Sequence, residues 1–127
     1  QPSDVDADDE GTIYVMDFEG RRFVLSVDGG ATVARSFAGP GGTGEQLPHI
    51  ALQGRLIFAT DPTNQRVVVY DRAGKQRGAF VFPTSTRGLR PVGIAAAPGL
   101  LYVADIENGG VYRLKVEIPP ETEAELP

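Results

Sequence analysis

The chain has 127 residues, which is long enough for one domain with a real core and too short for two. Cysteine is absent, which excludes a disulfide framework and a thiolate metal site, and no run approaches the roughly 18 apolar residues of a membrane helix. The net charge of −5 comes from the ends, because residues 1–10 and 117–127 hold nine of the 17 acids and no base, so it says little about partners.

The abundance of glycine (16) and proline (10) favours short strands joined by turns over long helices. In the first unit, turn signals at Asp9-Glu10-Gly11 and Asp28-Gly29-Gly30 separate four predicted strands. These strands are Val5–Ala7, Thr12–Met16, Phe23–Val27 and Thr32–Phe37.

The first strand carries an acid at every second position. Asp4, Asp6 and Asp8 alternate with small apolar residues, which predicts a strand with one acidic face that enters a hairpin turn. EF-hand spacing requires glycine at the sixth position and glutamate at the twelfth, where this chain has Asp9 and Val15. A calcium site therefore stays only as the alternative.

A glycine-rich link at residues 37–48 leads to the second unit, and it is not a phosphate-binding loop because no Gly-Lys-Ser/Thr follows. The strands predicted in the second unit are His49–Leu52, Leu56–Thr60, Arg66–Asp71 and Gln76–Phe82. Those predicted in the third unit are Gly93–Ala97, Leu100–Ala104 and Val111–Val116. No fourth strand is predicted for the third unit.

The three units are copies of one repeat. Tyr14-Val15-Met16-Asp17, Phe58-Ala59-Thr60-Asp61 and Tyr102-Val103-Ala104-Asp105 follow one another at a spacing of 44 residues without slippage. Asn64 and Asn108 occupy the same register. A period of 40 to 50 residues without a long segment of 3.6-residue periodicity is typical of β-propeller blades.

These motifs resemble the NHL repeat family of β-propellers. The third copy carries the resemblance in Pro91-Val92-Gly93-Ile94-Ala95 and Leu101-Tyr102-Val103-Ala104-Asp105, and the second in Asn64-Gln65-Arg66-Val67. The glycine-rich link is similar to the family's connection between blades. Gly20 and Gly110 depart from the pattern, since the family has Asn and Arg there.

The resemblance implies an all-β fold of three blades built from antiparallel four-stranded sheets, at about residues 2–47, 48–90 and 91–116. Because propellers have 4–8 blades, three blades form an incomplete ring by themselves. Residues 117–127 are predicted to be an acidic, proline-rich tail or linker, since they cannot bury enough apolar surface to order themselves.

An aspartate ends the second strand of each repeat. Asp17, Asp61 and Asp105 stand where a carboxylate can accept backbone N–H groups of the following turn, so they are predicted to staple those turns together with Asn64 and Asn108. A metal or substrate role is the alternative for these acids.

His49 is the only histidine, and its place after a proline at a strand start indicates a structural or rim position. Some propellers related to the family are metal-dependent lactonases or lyases, which need several converging ligands. His49 with the strand-end acids, completed by oligomerisation, is the enzyme alternative. No Gly-x-Ser-x-Gly motif supports a hydrolase, and no cofactor is predicted.

Basic residues are concentrated in the second repeat and the segment that leaves it. Such a cluster suits an anionic partner such as a nucleic acid only if the side chains share one surface, and single charges also guard strand edges. The candidate binding residues are Arg66, Arg72, Lys75, Arg77, Arg87 and Arg90.

The leading functional hypothesis is a non-catalytic binding or scaffold module that presents propeller loops to a protein partner. The outer sheet faces of the first and third blades need a cover. A second copy paired head to tail, further blades of a larger protein or a neighbouring subunit would each supply it. The cysteine-free chain and its tail favour an extracytoplasmic bacterial setting.

Overall fold

The structure is a computed structural model that describes residues 2–17, 22–27, 32–38, 48–72, 74–82 and 90–117. The predictions for the glycine-rich link at 39–47, for Arg87 and for the tail beyond Glu117 lie outside the described residues. The described chain forms three antiparallel sheets, and its only helical segment is a 3-10 turn at Pro62–Asn64. Within this part no helix is long and apolar enough to cross a membrane.

Each sheet is a meander in which neighbouring strands follow one another along the chain. The first sheet contains β1 (Pro2–Ala7), β2 (Ile13–Asp17), β3 (Arg22–Val27) and β4 (Thr32–Ala38). The second contains β5 (Ile50–Gln53), β6 (Leu56–Asp61), β7 (Arg66–Asp71) and β8 (Gln76–Val81). The third contains β9 (Pro91–Ala97), β10 (Leu100–Asp105) and β11 (Gly110–Lys115).

Every predicted strand overlaps an observed strand, so the all-β prediction is confirmed. The pairing of the first strand with the second strand repeats with the same period of 44 residues. Val5 pairs with Val15, Ile50 with Ala59, and Ile94 with Val103, and the second members of these pairs are 44 residues apart. The two residues of each pair therefore mark equivalent positions in the three sheets.

The second sheet lies between the other two and is apolar on both faces. All residues of β6 are buried, and so are all residues of β7 after Arg66. One face packs on the first sheet in a cluster of Tyr14, Met16, Ile50, Ile57, Ala59, Val68 and Tyr70. The other packs on the third sheet in a cluster of Leu56, Phe58, Val67, Val69, Phe82, Leu101 and Val103. This accounts for the apolar runs at residues 56–59 of β6 and 67–69 of β7, and the charged residues of both strands lie at the strand ends.

Two carboxylates of β1 join the first sheet to β5 of the second. Oδ2 of Asp4 accepts the backbone N–H of Ile50 at 2.8 Å, and Oδ2 of Asp6 accepts that of Leu52 at 3.1 Å. The Oδ1 atoms accept N–H groups of their own strand, from Val5 for Asp4 and from the next residue along for Asp6. Each carboxylate thus accepts hydrogen bonds from both β1 and β5, along edges that have no sheet partner on that side within the described chain.

An amide makes the corresponding link between the second and third sheets. Nε2 of Gln53 donates to the carbonyls of Ala97 and Leu100 at 2.7 and 2.9 Å, and its Oε1 accepts the N–H of Gly99 at 3.0 Å. Farther along, the Thr60 hydroxyl donates to the Val92 carbonyl at 2.9 Å. Both junctions therefore combine an apolar cluster with hydrogen bonds at one strand edge.

Gly109 gives a direct test of backbone conformation in the third sheet. It has φ +73° in the turn before β11, a left-handed conformation that strains residues with a Cβ, whereas the neighbouring Gly110 has no such φ and equal space. We expect Gly109→Ala to lower the free energy of unfolding by about 1 kcal/mol, and Gly110→Ala to change it by less than about 0.5 kcal/mol. Urea unfolding measures both, and equal losses would contradict the assignment.

Candidate functional site

His49 lies at the junction of the first two sheets, just before β5. Its Nδ1 is 3.4 Å from Oδ2 of Asp4, and its backbone N–H donates to the Thr60 hydroxyl at 2.8 Å. No group of three His, Asp or Glu side chains in the described part of the chain converges as a metal site. The geometry pairs His49 with one carboxylate that already holds a backbone N–H, so it places His49 in the contact between sheets.

The strand-end acids of the second and third repeats are buried and hold the turn that follows them. Oδ2 of Asp61 accepts from Nδ2 of Asn64 at 3.0 Å and from Nε of Arg66 at 2.8 Å, while its Oδ1 has no partner among the described residues. Asp105 accepts from Nδ2 of Asn108 at 2.7 Å and from backbone N–H groups. Asp17 ends β2 at the equivalent position, next to a turn that lies outside the described residues.

Asp105 has a lowered pKa as a result of these contacts. Burial by itself would raise its pKa, but the N–H of Arg90, the side-chain amide of Asn108 and the N–H groups of Glu107 and Asn108 together outweigh burial. The aspartate is therefore held as an anion, in the role of a hydrogen-bond acceptor for two chain segments.

The described basic residues of the candidate set do not share one surface. Arg66 begins β7 and lies near one end of the second sheet, whereas Arg72 and Lys75 follow the last residue of that strand and lie at the opposite end. A six-residue strand separates the two ends by roughly 17 Å. Arg77 lies near the second group, and Arg90 precedes the first strand of the third sheet.

Carboxylates also neutralise the described arginines of this set. Arg66 is 2.8 Å from Asp61 and Arg77 is 2.8 Å from Asp71, both buried acids. Arg72 lies 3.4 Å from Asp8 and 3.9 Å from Glu10, and Arg90 lies 3.7 Å from Glu107. Among the described residues these bases form no continuous positive surface of the kind that electrostatic binding of a nucleic acid requires.

A cleft of about 430 Å³ opens between the turns of the first and second sheets. Its lining residues are Ala7, Asp8, Asp9, Glu10, Leu52, Gly54, Arg55 and Arg72. Arg72 spans the cleft, because its guanidinium contacts both Asp8 and the Gly54 carbonyl. The cleft carries charges of both signs, and Arg72 pairs with Asp8 and Glu10 across it.

The outward faces of the first and third sheets expose side chains that are buried elsewhere in the repeat. Val5 is 61% exposed, but its equivalent Ile50 in the second sheet is 4% exposed. Tyr102 is 37% exposed, against 1% for its equivalent Phe58, and Val111 is 70% exposed where Val67 is fully buried. These two faces are the candidate functional site, since apolar positions of this kind call for a covering surface.

The sequence did not reveal the role of Asp4, Asp6 and Gln53 in joining the sheets. The alternation of the aspartates correctly indicated one acidic face on β1, but it could not indicate that the face meets the backbone of β5. No signal marked Gln53, whose three partners lie 44 to 47 residues away in the chain.

Comparisons with known proteins show the fold. No protein-family model matches the chain, and no curated protein matches its sequence. Among solved structures it is similar to a catalytically inactive variant of virginiamycin B lyase from Staphylococcus aureus with quinupristin (20% identity, TM-score 0.65, 95% of this chain and 43% of that chain).

It is also similar to YCF48 from Cyanidioschyzon merolae (13% identity, TM-score 0.63, 88% and 33% of the two chains). The β-propeller domain of Swd1 from Myceliophthora thermophila is a further match (15% identity, TM-score 0.60, 94% and 40%). The chain is therefore made of β-propeller blades, as the repeat predicted. It spans about two fifths of the first matched structure, and three blades leave the ring incomplete.

Replacing Asp6 tests the link between the first two sheets. Asp6→Ala leaves the N–H groups of Ala7 and Leu52 without their acceptor, so we expect a loss of about 1–3 kcal/mol in the free energy of unfolding. Asp9→Ala, at an exposed turn position, is the matched control and is expected to change stability by less than about 0.5 kcal/mol. Chemical denaturation checks both, and similar stabilities would argue against the link.

The lowered pKa of Asp105 predicts a loss of stability in acid. A carboxylate with a depressed folded-state pKa contributes fully above its ordinary pKa of about 4, and the contribution disappears as the pH falls through the lower value. We therefore expect Asp105→Asn to be less stable than the parent at pH 7 and the difference to shrink below pH 4. Thermal melts from pH 7 to pH 2 measure it, with Asp9→Asn as the control, and a pH-independent difference would exclude the anion.

Proposed function

We propose that the chain is a non-catalytic binding and scaffold module of the NHL-repeat type, with blades at about residues 2–47, 48–90 and 91–116. Its outward sheet faces bind a protein partner or a second copy of the chain. Residues 117–127 serve as a linker in this proposal. The observation that carries it is the exposure of Val5, Tyr102 and Val111 at repeat positions that are buried in the second sheet.

The exposed positions carry side chains whose burial stabilises a contact between sheets. Burying an aliphatic or aromatic side chain of this size stabilises a contact by about 1.5–3 kcal/mol. The internal junctions use the same positions to hold the sheets together, through Phe58 and Val67 on one side and Tyr14 and Met16 on the other. The outward faces therefore have the chemistry of a junction and lack the second surface within the described residues.

A protein surface fits these faces better than a nucleic acid or a small substrate. Val5, Tyr102 and Val111 are apolar or aromatic, and among its described residues the third sheet adds only the charges of Arg113 and Lys115 to its outward face. The described arginines of the second repeat are divided between two ends and paired with acids. For the enzyme alternative, the described residues supply His49 and a single adjacent carboxylate. The likeness to a lyase at 20% identity supports the fold only, and the lyase activity is a property of that protein.

Polar substitutions on the third sheet test the proposal. We expect the parent protein to self-associate or to bind an apolar dye at these faces, and Tyr102→Ser with Val111→Thr to reduce either signal because both side chains are exposed. Sedimentation velocity and dye fluorescence measure the two signals. A parent protein that stays monomeric and binds no dye would refute the proposal.

Val67→Thr is the matched control, since Val67 is the buried counterpart of Val111. It places a hydroxyl inside the cluster between the second and third sheets, so we expect a loss of about 1–3 kcal/mol in stability. Val111→Thr should leave the melting temperature of the monomer nearly unchanged. Equal destabilisation by the two substitutions would show that Val111 acts within the chain.

A further inference from the structure

The outer edge of β11 differs from its counterparts in the other two sheets. In the first sheet the third strand, β3, pairs with β4, and in the second sheet β7 pairs with β8, both antiparallel. In the third sheet β11 pairs with β10, and no strand of the described residues pairs with its other side. An edge strand of six residues thus presents its backbone N–H and carbonyl groups at the position where the other two sheets have a fourth strand.

The side chains of β11 alternate between two environments. Tyr112 and Leu114 are half-buried and pack on the cluster between the second and third sheets, and the ring of Tyr112 lies 5.3 Å from that of Phe82. Val111, Arg113 and Lys115 point to the exposed face, since Arg113 pairs in register with the exposed Tyr102. A strand added beside β11 would therefore meet an apolar row on one face and a basic row on the other.

The basic row is specific to this strand. The residues of β7 equivalent to Arg113 and Lys115 are Val69 and Asp71, both buried. Lys115 is largely exposed, and its Nζ lies 3.3 Å from a carboxylate oxygen of Glu117. The strand β11 thus carries two cations on one face, at positions where the equivalent strand β7 carries none. One of them, Lys115, already contacts a carboxylate.

We propose that the outer edge of β11 binds an extended peptide in which acidic and apolar residues alternate. The peptide pairs antiparallel with residues 110–115 and takes the place that β8 takes beside β7. Its apolar side chains lie opposite Tyr112 and Leu114, and its carboxylates lie opposite Arg113 and Lys115. Main-chain hydrogen bonds supply affinity, while the alternating side chains supply specificity.

This inference goes beyond the proposed function, because it concerns the edge of the third sheet and a peptide of stated pattern. The outward face needs an apolar protein surface, whereas the edge needs a strand. The two sites can therefore fail separately: Tyr102→Ser alters the face and leaves the edge of β11 intact.

The test uses fluorescent octapeptides that alternate glutamate with valine. Fluorescence anisotropy with the full chain is expected to show saturable binding of this peptide and much weaker binding of a peptide with the same composition in separate glutamate and valine blocks. N-methylation of alternate peptide residues should abolish binding, because it removes the main-chain donors. Failure of the alternating peptide to bind, or equal binding of the block peptide, would overturn the proposal.

Charge reversal at the edge tests the predicted pairing. Arg113→Glu is expected to weaken binding of the glutamate peptide by about tenfold and to improve binding of a peptide that alternates lysine with valine. Arg55→Glu changes an exposed arginine in the turn between β5 and β6, and it should leave both affinities unchanged. Because Arg113 is exposed, the variant should keep the parent melting temperature, and unchanged peptide affinities in that folded variant would refute the inference.

Discussion

The structure depends on one constraint: the second strand of each sheet carries apolar side chains on both faces, so each sheet needs a neighbour on both sides. The second sheet satisfies the constraint, with β6 and β7 buried between two clusters. The same requirement repeats every 44 residues, and the outermost sheets each meet it on one side within the described residues. Core packing and the candidate interaction faces therefore share the apolar side chains of these strands, and the third sheet adds Arg113 and Lys115 on its outward face.

The polar contacts between sheets follow from the same arrangement. Stacking places β5 beside both β1 and β9, and the facing edges of these strands have no sheet partner within the described chain. Carboxylates of Asp4 and Asp6 and the amide of Gln53 bind those edges. These links add hydrogen bonds to the two apolar junctions, and the outward faces have no comparable link in the described chain.

Sequence periodicity predicted the sheets well because a blade is a local unit. Every strand of a meander pairs with one that is adjacent in the chain, and the turns carry glycine, proline, asparagine and aspartate at fixed offsets. The predicted staples are more varied in the structure. Asp61 binds a side chain of Arg66, whereas Asp105 binds backbone N–H groups, because position 110 holds glycine where the second repeat has arginine.

The sequence by itself determined the strands and their repeat, since these follow from residue order over short distances. Only the tertiary structure decided which basic residues meet, which carboxylates bind another sheet and which apolar side chains stay exposed. Arg72 lies 3.4 Å from Asp8 although 64 positions separate them, and Asp6 and Leu52 are 46 apart and hydrogen-bonded. Such proximities depend on how the sheets stack, and stacking is a long-range property that local patterns do not encode.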